Sequence, residues 1–379
     1  MGEHYYHKLL ETIRTNTQFA FNNKLGMVDG SIGELAALLY IQKLSKSQEA
    51  LDLFSDRLSA IIGSPIHNYS LGYGLASLGW LINLIQQENL STEAIADIDT
   101  EEINAILERE LYLMIDARNF DYFKGSLGLL YYLSQIDNEQ DYFNRTAKYF
   151  VNEIEQCLKE RYDFSILRSY AGVRERVINI GTPHGLTGIL LILLIIREKR
   201  ADLCPDNTIL NFAEIIISHK FEESKRSFFP AFVHLDGKKE SSGIAWCYGD
   251  LMIAYALFKT NKLLDRHEYF NLASETLKNI FRRLDFSATE LCLCHGLPSL
   301  YYIFKGLYNL SQIAECKSTA EKIYQKLEQQ FFQKSDKLKD DEEDYLLKKS
   351  SLFYGYSAPL LTILNKDNPK ANWQSCLLL

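Results

Sequence analysis

Glycine recurs at regular intervals along the chain, and each time it opens an apolar segment. The recurring glycines are Gly30, Gly74, Gly125, Gly185, Gly249, Gly296 and Gly355. Their successive separations are 44, 51, 60, 64, 47 and 59 residues, with a mean near 54. A unit of this length has room for two helices and two loops, and a nearly constant period predicts a repeat architecture.

Two kinds of helical segment alternate within this repeat. The segments that follow a glycine are strongly apolar, as in Leu186–Ile196 and Leu251–Phe258. The segments between them, such as Ile103–Ile115 and Ala320–Phe332, place apolar residues at helical spacing between charged ones. The pattern predicts an all-α fold, an α/α toroid with seven inner helices and seven outer helices. A glycine at each turn lets neighbouring backbones approach closely, so the residues before each glycine are expected to share one basin.

One short segment departs from the helical pattern. Phe228–His234, followed by Leu235-Asp236-Gly237-Lys238, predicts a small β-hairpin element near residues 228–240. No domain boundary is evident, because a toroid needs all its repeats to close. We therefore expect a single domain of seven repeats over residues 1–379.

Composition excludes several classes of protein. Of the 379 residues 47% are hydrophobic and 24% charged, and the net charge is −8, so neither nucleic acid nor anionic membrane is an expected partner. The longest apolar run, Ile189 to Ile196, is too short to cross a bilayer. Residues 1–14 lack an apolar signal-peptide core, and seven irregularly spaced cysteines suit a reducing compartment. A cytoplasmic location is expected.

Two short motifs carry potential metal ligands. They are Trp246-Cys247-Tyr248-Gly249 and Cys294-His295-Gly296. Two thiolates and one imidazole make three of the four ligands of a tetrahedral zinc ion. A zinc ion with three protein ligands keeps one position open, which is typical of catalytic sites.

The residues that could bind a metal or transfer a proton occupy matching positions before the recurring glycines. Cys247 and Cys294 each lie two residues before a glycine, and His184 and His295 each lie one residue before. Asp121 lies four residues before Gly125. If the toroid forms, all five side chains are expected at the same end of it.

Each of these residues also has a purely structural interpretation. Cysteine is among the most buried residue types, so the thiols and His295 could belong to the core. His184 could make a hydrogen bond where its helix begins, and Asp121 could be a helix cap. Cys292 is close enough to compete for a metal, but alternation along an extended segment is expected to turn its side chain away. The shared repeat position favours zinc ligation by Cys247, Cys294 and His295.

These motifs, together with His184-Gly185-Leu186-Thr187-Gly188 and Phe229-Pro230, resemble the lanthionine synthetase C-like (LanC-like) family. The resemblance implies an α/α toroid with one zinc ion per chain, acting as a standalone lanthipeptide cyclase. Such an enzyme adds peptide cysteine thiols to dehydroalanine or dehydrobutyrine, forming lanthionine or methyllanthionine. The implied ligands are Cys247, Cys294 and His295, and the implied catalytic residues are His184 and Asp121.

The resemblance also implies partners, and it has one departure. The expected partners are a dehydrated precursor peptide, a dehydratase and an exporter complex. Bacterial cyclases of the family commonly carry an arginine shortly before Trp-Cys-Tyr-Gly, where this chain has Ser241-Ser242-Gly243-Ile244-Ala245. Arg174 and Arg176 are the candidates to supply that guanidinium.

The chemistry of the residues agrees with this activity, and other functions remain open. A thiol is mostly protonated at neutral pH, and coordination to zinc deprotonates it. A histidine is suited to protonate the α-carbon after the sulfur has attacked the β-carbon. The alternatives are addition of a small thiol such as glutathione, and a zinc-stabilised peptide-binding scaffold without catalysis. A protein prenyltransferase subunit also uses zinc in an α/α barrel, but adjacent Cys-His ligands do not fit that family.

Overall fold

The computed structural model describes residues 10, 11, 13, 14, 24–90, 95, 98–136, 141–170, 173–222, 226–285, 290–337, 350–368 and 370–379. The chain forms two compact units. Unit 1 comprises Met1–Leu107, Thr289–Tyr301 and Glu321–Cys376. Unit 2 comprises Glu108–Ala288, Tyr302–Ala320 and Leu377–Leu379.

The described part of the chain is mainly helical, as the sequence predicts. Its thirteen α-helices are α1 (Ile32–Ser45), α2 (Gln48–Ile62), α3 (Leu75–Gln87), α4 (Thr100–Asp116), α5 (Ser126–Gln135), α6 (Tyr142–Glu160), α7 (Leu186–Lys199), α8 (Asp206–Ser218), α9 (Asp250–Leu264), α10 (His267–Arg283), α11 (Leu297–Ser311), α12 (Ala314–Lys337) and α13 (Ser357–Leu364). A short 3₁₀ helix covers Trp373–Leu377. No helix in these described ranges is both long and apolar enough to cross a membrane.

The apolar and amphipathic helices bury their side chains differently. In α7 every residue from Leu186 to Ile196 is buried, so this helix has no solvent-facing side over three turns. In α10 the buried positions Ala273, Leu277 and Ile280 recur at three- and four-residue spacing, which leaves the other face to solvent. The two helix classes predicted from the sequence are therefore present.

The recurring glycines lie where the apolar helices begin. Gly74, Gly125, Gly185 and Gly249 directly precede α3, α5, α7 and α9, and Gly296 directly precedes α11. The turn before each helix folds back onto its glycine. A Cβ atom at Gly74 would lie 1.9 Å from the carbonyl oxygen of Asn68, six residues earlier. The close approach of the two backbones, rather than an unusual torsion angle, therefore requires glycine.

Unit 2 carries a four-stranded antiparallel sheet in the order β1-β2-β3-β4. The strands are β1 (Ser165–Tyr170), β2 (Val173–Asn179), β3 (Pro230–His234) and β4 (Lys239–Ser241). The predicted hairpin near residues 228–240 is confirmed as β3 and β4, and Gly237 in its turn has a φ of 86° that favours glycine. The hairpin β1–β2 was not predicted. Its sequence mixes charged with apolar residues, which weakens the strand signal.

An ion pair between a fully buried carboxylate and a partly buried guanidinium joins the sheet region to the helices of unit 2. Asp250, the first residue of α9, is 0% exposed and pairs with Arg283 at 2.7 Å. Its carboxylate also accepts hydrogen bonds from the backbone N–H groups of Phe228 and Phe229, both at 2.9 Å, and from the Ser242 hydroxyl. Burial raises the pKa of Asp250 and lowers the pKa of Arg283. Each charge is costly to bury, so each depends on its partner.

We expect Arg283→Met to lower the free energy of unfolding by about 3–5 kcal/mol, because it leaves the Asp250 carboxylate buried without a cation. Burial raises the pKa of this carboxyl above its unfolded value, so the loss is smallest at acidic pH and grows as the pH rises. Urea denaturation at acidic and neutral pH measures both effects. Arg282→Met, at the exposed neighbouring position, is the control. Equal losses in the two variants would contradict the prediction.

The glycine contacts predict a second effect on stability. Gly74→Ala should destabilise the protein by about 1–3 kcal/mol or more, because the new methyl group overlaps backbone atoms. Gly243→Ala is the control, since its Cβ would meet only the Tyr248 carbonyl oxygen at 3.8 Å. Thermal unfolding followed by circular dichroism checks the difference. A Gly74→Ala protein that melts with the wild type would show that the turn can open at little cost.

Candidate functional site

Asp121 and His184, from the turns before α5 and α7, are in direct contact in unit 2. The Oδ2 atom of Asp121 lies 2.5 Å from Nδ1 of His184. The Oδ1 atom accepts the backbone N–H groups of Phe123 and Lys124, both at 2.8 Å. Asp121 therefore stabilises its own turn with one oxygen and holds the imidazole with the other. The interpretation of Asp121 as a helix cap is wrong, because the N-cap of α5 is Gly125 and no side chain caps that helix.

The His184 ring is held in one orientation by its neighbours. Its centroid lies 5.8 Å from that of Phe123, edge to face, and 6.4 Å from that of Tyr248. Both His184 and Asp121 are partly exposed. Because Nδ1 is occupied by the Asp121 carboxylate, Nε2 is the ring nitrogen available for proton exchange with a ligand.

Cys247 lies beside the segment that carries His184. The carbonyl oxygen of Cys247 accepts the N–H of Thr182 at 2.9 Å. A Cβ atom at Gly181 would lie 2.3 Å from that same oxygen, so glycine permits the approach. The neighbouring Trp246 is fully buried, and its indole N–H donates to the Leu377 carbonyl at 2.9 Å. The Cys247 thiol is therefore held on a fixed turn and is itself buried.

Cys294 and His295 lie in unit 1, in the turn before α11. The backbone N–H of Cys294 donates to the carbonyl of Phe353 at 3.1 Å, and the thiol is buried. His295 is partly exposed, and its Nε2 lies 2.8 Å from a carboxylate oxygen of Glu290. A carboxylate on one ring nitrogen is the usual second partner of a metal-bound imidazole.

Cys292 does not turn away from these residues, so that prediction is wrong. Hydrogen bonding with Cys292, and to a smaller extent with Cys294, raises the pKa of His295 to about 11. The ligand atoms of Glu290, Cys292 and His295 lie within 4.8 Å of one another and could hold a metal ion. Residues 291–296 form bends and turns rather than a strand, so side chains do not alternate between two faces there.

The predicted residues are divided between the two units. Unit 2 brings Asp121 and His184 together beside the Cys247 turn, and unit 1 holds Cys294 and His295 as sequence neighbours. Because Cys247 belongs to a different unit from the other two predicted ligands, their binding of one shared ion stays a prediction.

The guanidinium near residues 241–245 comes from a position that the sequence did not suggest. Arg176 donates to the Ser165 hydroxyl on the sheet, at 2.9 Å from Nε and 2.6 Å from Nη2, and Arg174 is exposed. Arg283, from α10, donates to the carbonyl of Ser242 at 3.4 Å and pairs with Asp250. The sequence signal for this arginine was Asp250, an acidic residue at the start of the apolar helix α9, since a buried carboxylate needs a cation.

Comparison with known proteins identifies the fold and the family of the chain. The fold is that of the solved structure of nisin cyclase, an α/α toroid, with a TM-score of 0.76 and 18% identity over 99% of this chain and 96% of that one. The predicted fold class is therefore confirmed. An unsaturated glucuronyl hydrolase specific for heparin aligns over 98% of both chains, with a TM-score of 0.45 and 10% identity. No curated protein sequence matches the chain. The family model for lanthionine synthetase C-like protein matches residues 21–378, and the chain belongs to that family.

Proposed function

We propose that the protein is a zinc-dependent lanthipeptide cyclase. It would add cysteine thiols of a dehydrated precursor peptide to dehydroalanine or dehydrobutyrine residues of the same peptide, giving thioether rings. The observation that carries the proposal is the contact between Asp121 and His184 beside the Cys247 turn. Family membership and the likeness to nisin cyclase support a peptide as the substrate.

The proposed zinc ligands are Cys247, Cys294 and His295, with one ion per chain. The donor set fits this metal, because two buried sulfurs and an imidazole are ligands that zinc prefers. The Glu290 carboxylate on Nε2 of His295 would orient the ring for coordination. When bound, zinc would keep the peptide thiol deprotonated at neutral pH.

The proposed reaction is balanced without a leaving group or an oxidant. The peptide thiol loses its proton, its sulfur bonds to the β-carbon as the π bond between the α- and β-carbons breaks, and the α-carbon takes up one proton. We assign delivery of that proton to Nε2 of His184. Asp121 would hold the ring in one tautomer and one orientation through Nδ1.

Several parts of the wider assignment rest on the same proposal. We infer that residues 1–379 act as one domain of seven repeats. A dehydratase would supply the substrate, an exporter complex would receive the product, and the reaction would take place in the cytoplasm. The seven cysteines, all of which lie in the described ranges, form no disulfide, which suits a reducing compartment.

The ligand set predicts a specific pattern of metal loss. Wild-type protein should contain one zinc per chain, and Cys247→Ala, Cys294→Ala and His295→Ala should each lose it, because two protein ligands hold zinc poorly. Cys292→Ala is the matched control and should keep the metal. Elemental analysis of the purified folded proteins measures the stoichiometry.

The same measurement distinguishes the competing ligand set. If Cys292→Ala loses zinc while Cys247→Ala retains it, the ion is held by the Glu290–Cys292–His295 group. A folded wild-type protein without zinc would reject the thiolate-activation mechanism. A zinc-loaded protein that binds dehydrated peptide without forming rings would point to a scaffold, and one that adds only glutathione would point to a small-thiol transferase.

The contact between Asp121 and His184 predicts an effect on rate that is separate from stability. Asp121→Asn keeps an oxygen for the N–H groups of Phe123 and Lys124 but removes the charge beside His184. Ring formation on a dehydrated peptide should slow by up to about 10²–10⁴-fold, the contribution of a positioned acid such as His184, which Asp121 orients. Mass spectrometry after thiol alkylation measures the rate, and thermal unfolding should change little.

Asp99→Asn is the control for this substitution. The Asp99 carboxylate accepts the N–H groups of Glu101 and Glu102 at 3.0 and 3.1 Å, two and three residues ahead, as Asp121 does in its own turn. Asp99→Asn should therefore leave the rate unchanged. Equal rates for the two variants would mean that Asp121 serves only its turn.

A further inference from the structure

A cavity of about 260 Å³ opens beside the contact between Asp121 and His184 in unit 2. Asp121 and His184 themselves form part of its wall. The remaining wall combines six apolar side chains with the polar groups of Arg118, Asn119, Tyr162 and Ser165. Its apolar side chains are Phe120, Phe164, Ile166, Leu167, Leu186 and Ile189.

The size of this cavity limits what it can hold. A site that encloses a whole drug-sized molecule has a volume of roughly 300–1,000 Å³. At about 260 Å³ this cavity falls just below that range. It suits one large amino-acid side chain better than a complete small-molecule ligand.

The charges around the cavity favour a neutral occupant. Arg118 contributes to the wall, but its guanidinium already donates to Glu153 and Glu160, both at 2.8 Å. Asp121 brings a carboxylate whose two oxygens are engaged by His184 and by backbone N–H groups. Because the cation is neutralised, the six apolar side chains of the wall favour an occupant that covers them with an apolar group.

The sheet beside the cavity indicates that the apolar group belongs to a peptide. Residues 165–167 of β1 line the cavity, and β1 is an edge strand of the four-stranded sheet. Edge strands offer N–H and C=O groups with which an extended peptide can pair. Leu167 is 64% exposed although it forms part of the wall, so it lies where the cavity meets solvent.

We propose that this cavity is a specificity pocket for an apolar side chain, of the leucine or phenylalanine type, that neighbours the dehydroamino acid of the substrate peptide. The inference rests on the proposed function, since it takes a dehydrated peptide as the substrate and Asp121 and His184 as its reaction centre. Substrate choice would then depend on the residue flanking the reacting position.

The test uses the full-length protein and two series of peptides. Each cyclisable peptide has one dehydroalanine and one cysteine, and the residue before or after the dehydroalanine is Gly, Leu, Phe or Asp. Unreactive analogues carry Ala and Ser at the two reacting positions, so binding is measured by calorimetry without any reaction. The variants are Leu167→Ser and the control Leu235→Ser. Leu235 is 63% exposed, close to the 64% of Leu167, and does not line the cavity.

We expect the wild type to bind the Leu and Phe peptides about 10-fold or more tightly than the Gly peptide in one series, as apolar pockets typically do. Leu167→Ser should reduce that preference, and Leu235→Ser should retain it. Equal affinities for all flanking residues, absence of binding, or equal behaviour of the two variants would overturn the pocket. If the preference appears in binding while no peptide is cyclised, the pocket stands and the proposed function fails.

Discussion

The turn that folds back onto each recurring glycine is the constraint on which the rest of the structure depends. At Gly74, Gly125, Gly185 and Gly296 a Cβ atom would lie 1.9–2.4 Å from the carbonyl oxygen six residues earlier, a distance that no side chain tolerates. The same turn satisfies the helix that follows. The first N–H groups of α3 and α11 each donate at 2.8 Å to a carbonyl seven residues earlier. Backbone carbonyl groups therefore accept the first N–H groups of these helices, and a polar side-chain cap is not required.

A fixed turn also fixes the positions from which side chains project. His184 and His295 each stand one residue before a glycine, whereas Asp121 and Cys292 each stand four residues before one. Asp121 reaches a histidine from that position, and the sulfur of Cys292 also lies near a histidine. Position relative to the recurring glycine, which identified the other candidates, would therefore have placed Cys292 near a histidine. The alternation rule failed because it describes strands, and this segment is a turn.

Features set by residues that are close in sequence can be predicted from the sequence, and features set by residues far apart in sequence cannot. The apolar helices, the glycine turns and the β3–β4 hairpin are set by neighbouring residues, so their patterns are visible in the chain. The pair of Asp250 and Arg283 joins residues 33 positions apart, and only the buried carboxylate hints at it. In the β1–β2 hairpin Ile166 and Val177 pack together with Phe232 of β3, a contact that periodicity over a few residues does not reveal.

The buried pair of Asp250 and Arg283 also bears on how the candidate residues are held. Such a pair contributes little net stability, but it favours the arrangement that keeps Arg283 on the fully buried Asp250 carboxylate, because any other arrangement leaves that charge alone. Here that arrangement fixes Ser242 and the first residue of α9, which bracket Cys247 in sequence. Asp121 is held in a similar way, since the turn N–H groups bound to its Oδ1 atom keep its Oδ2 atom in place against His184. In both cases backbone N–H groups hold a carboxylate in place beside its partner, which is Arg283 for Asp250 and His184 for Asp121. The geometry at Cys247 and His184 is therefore set by folding and does not have to be assembled by a ligand.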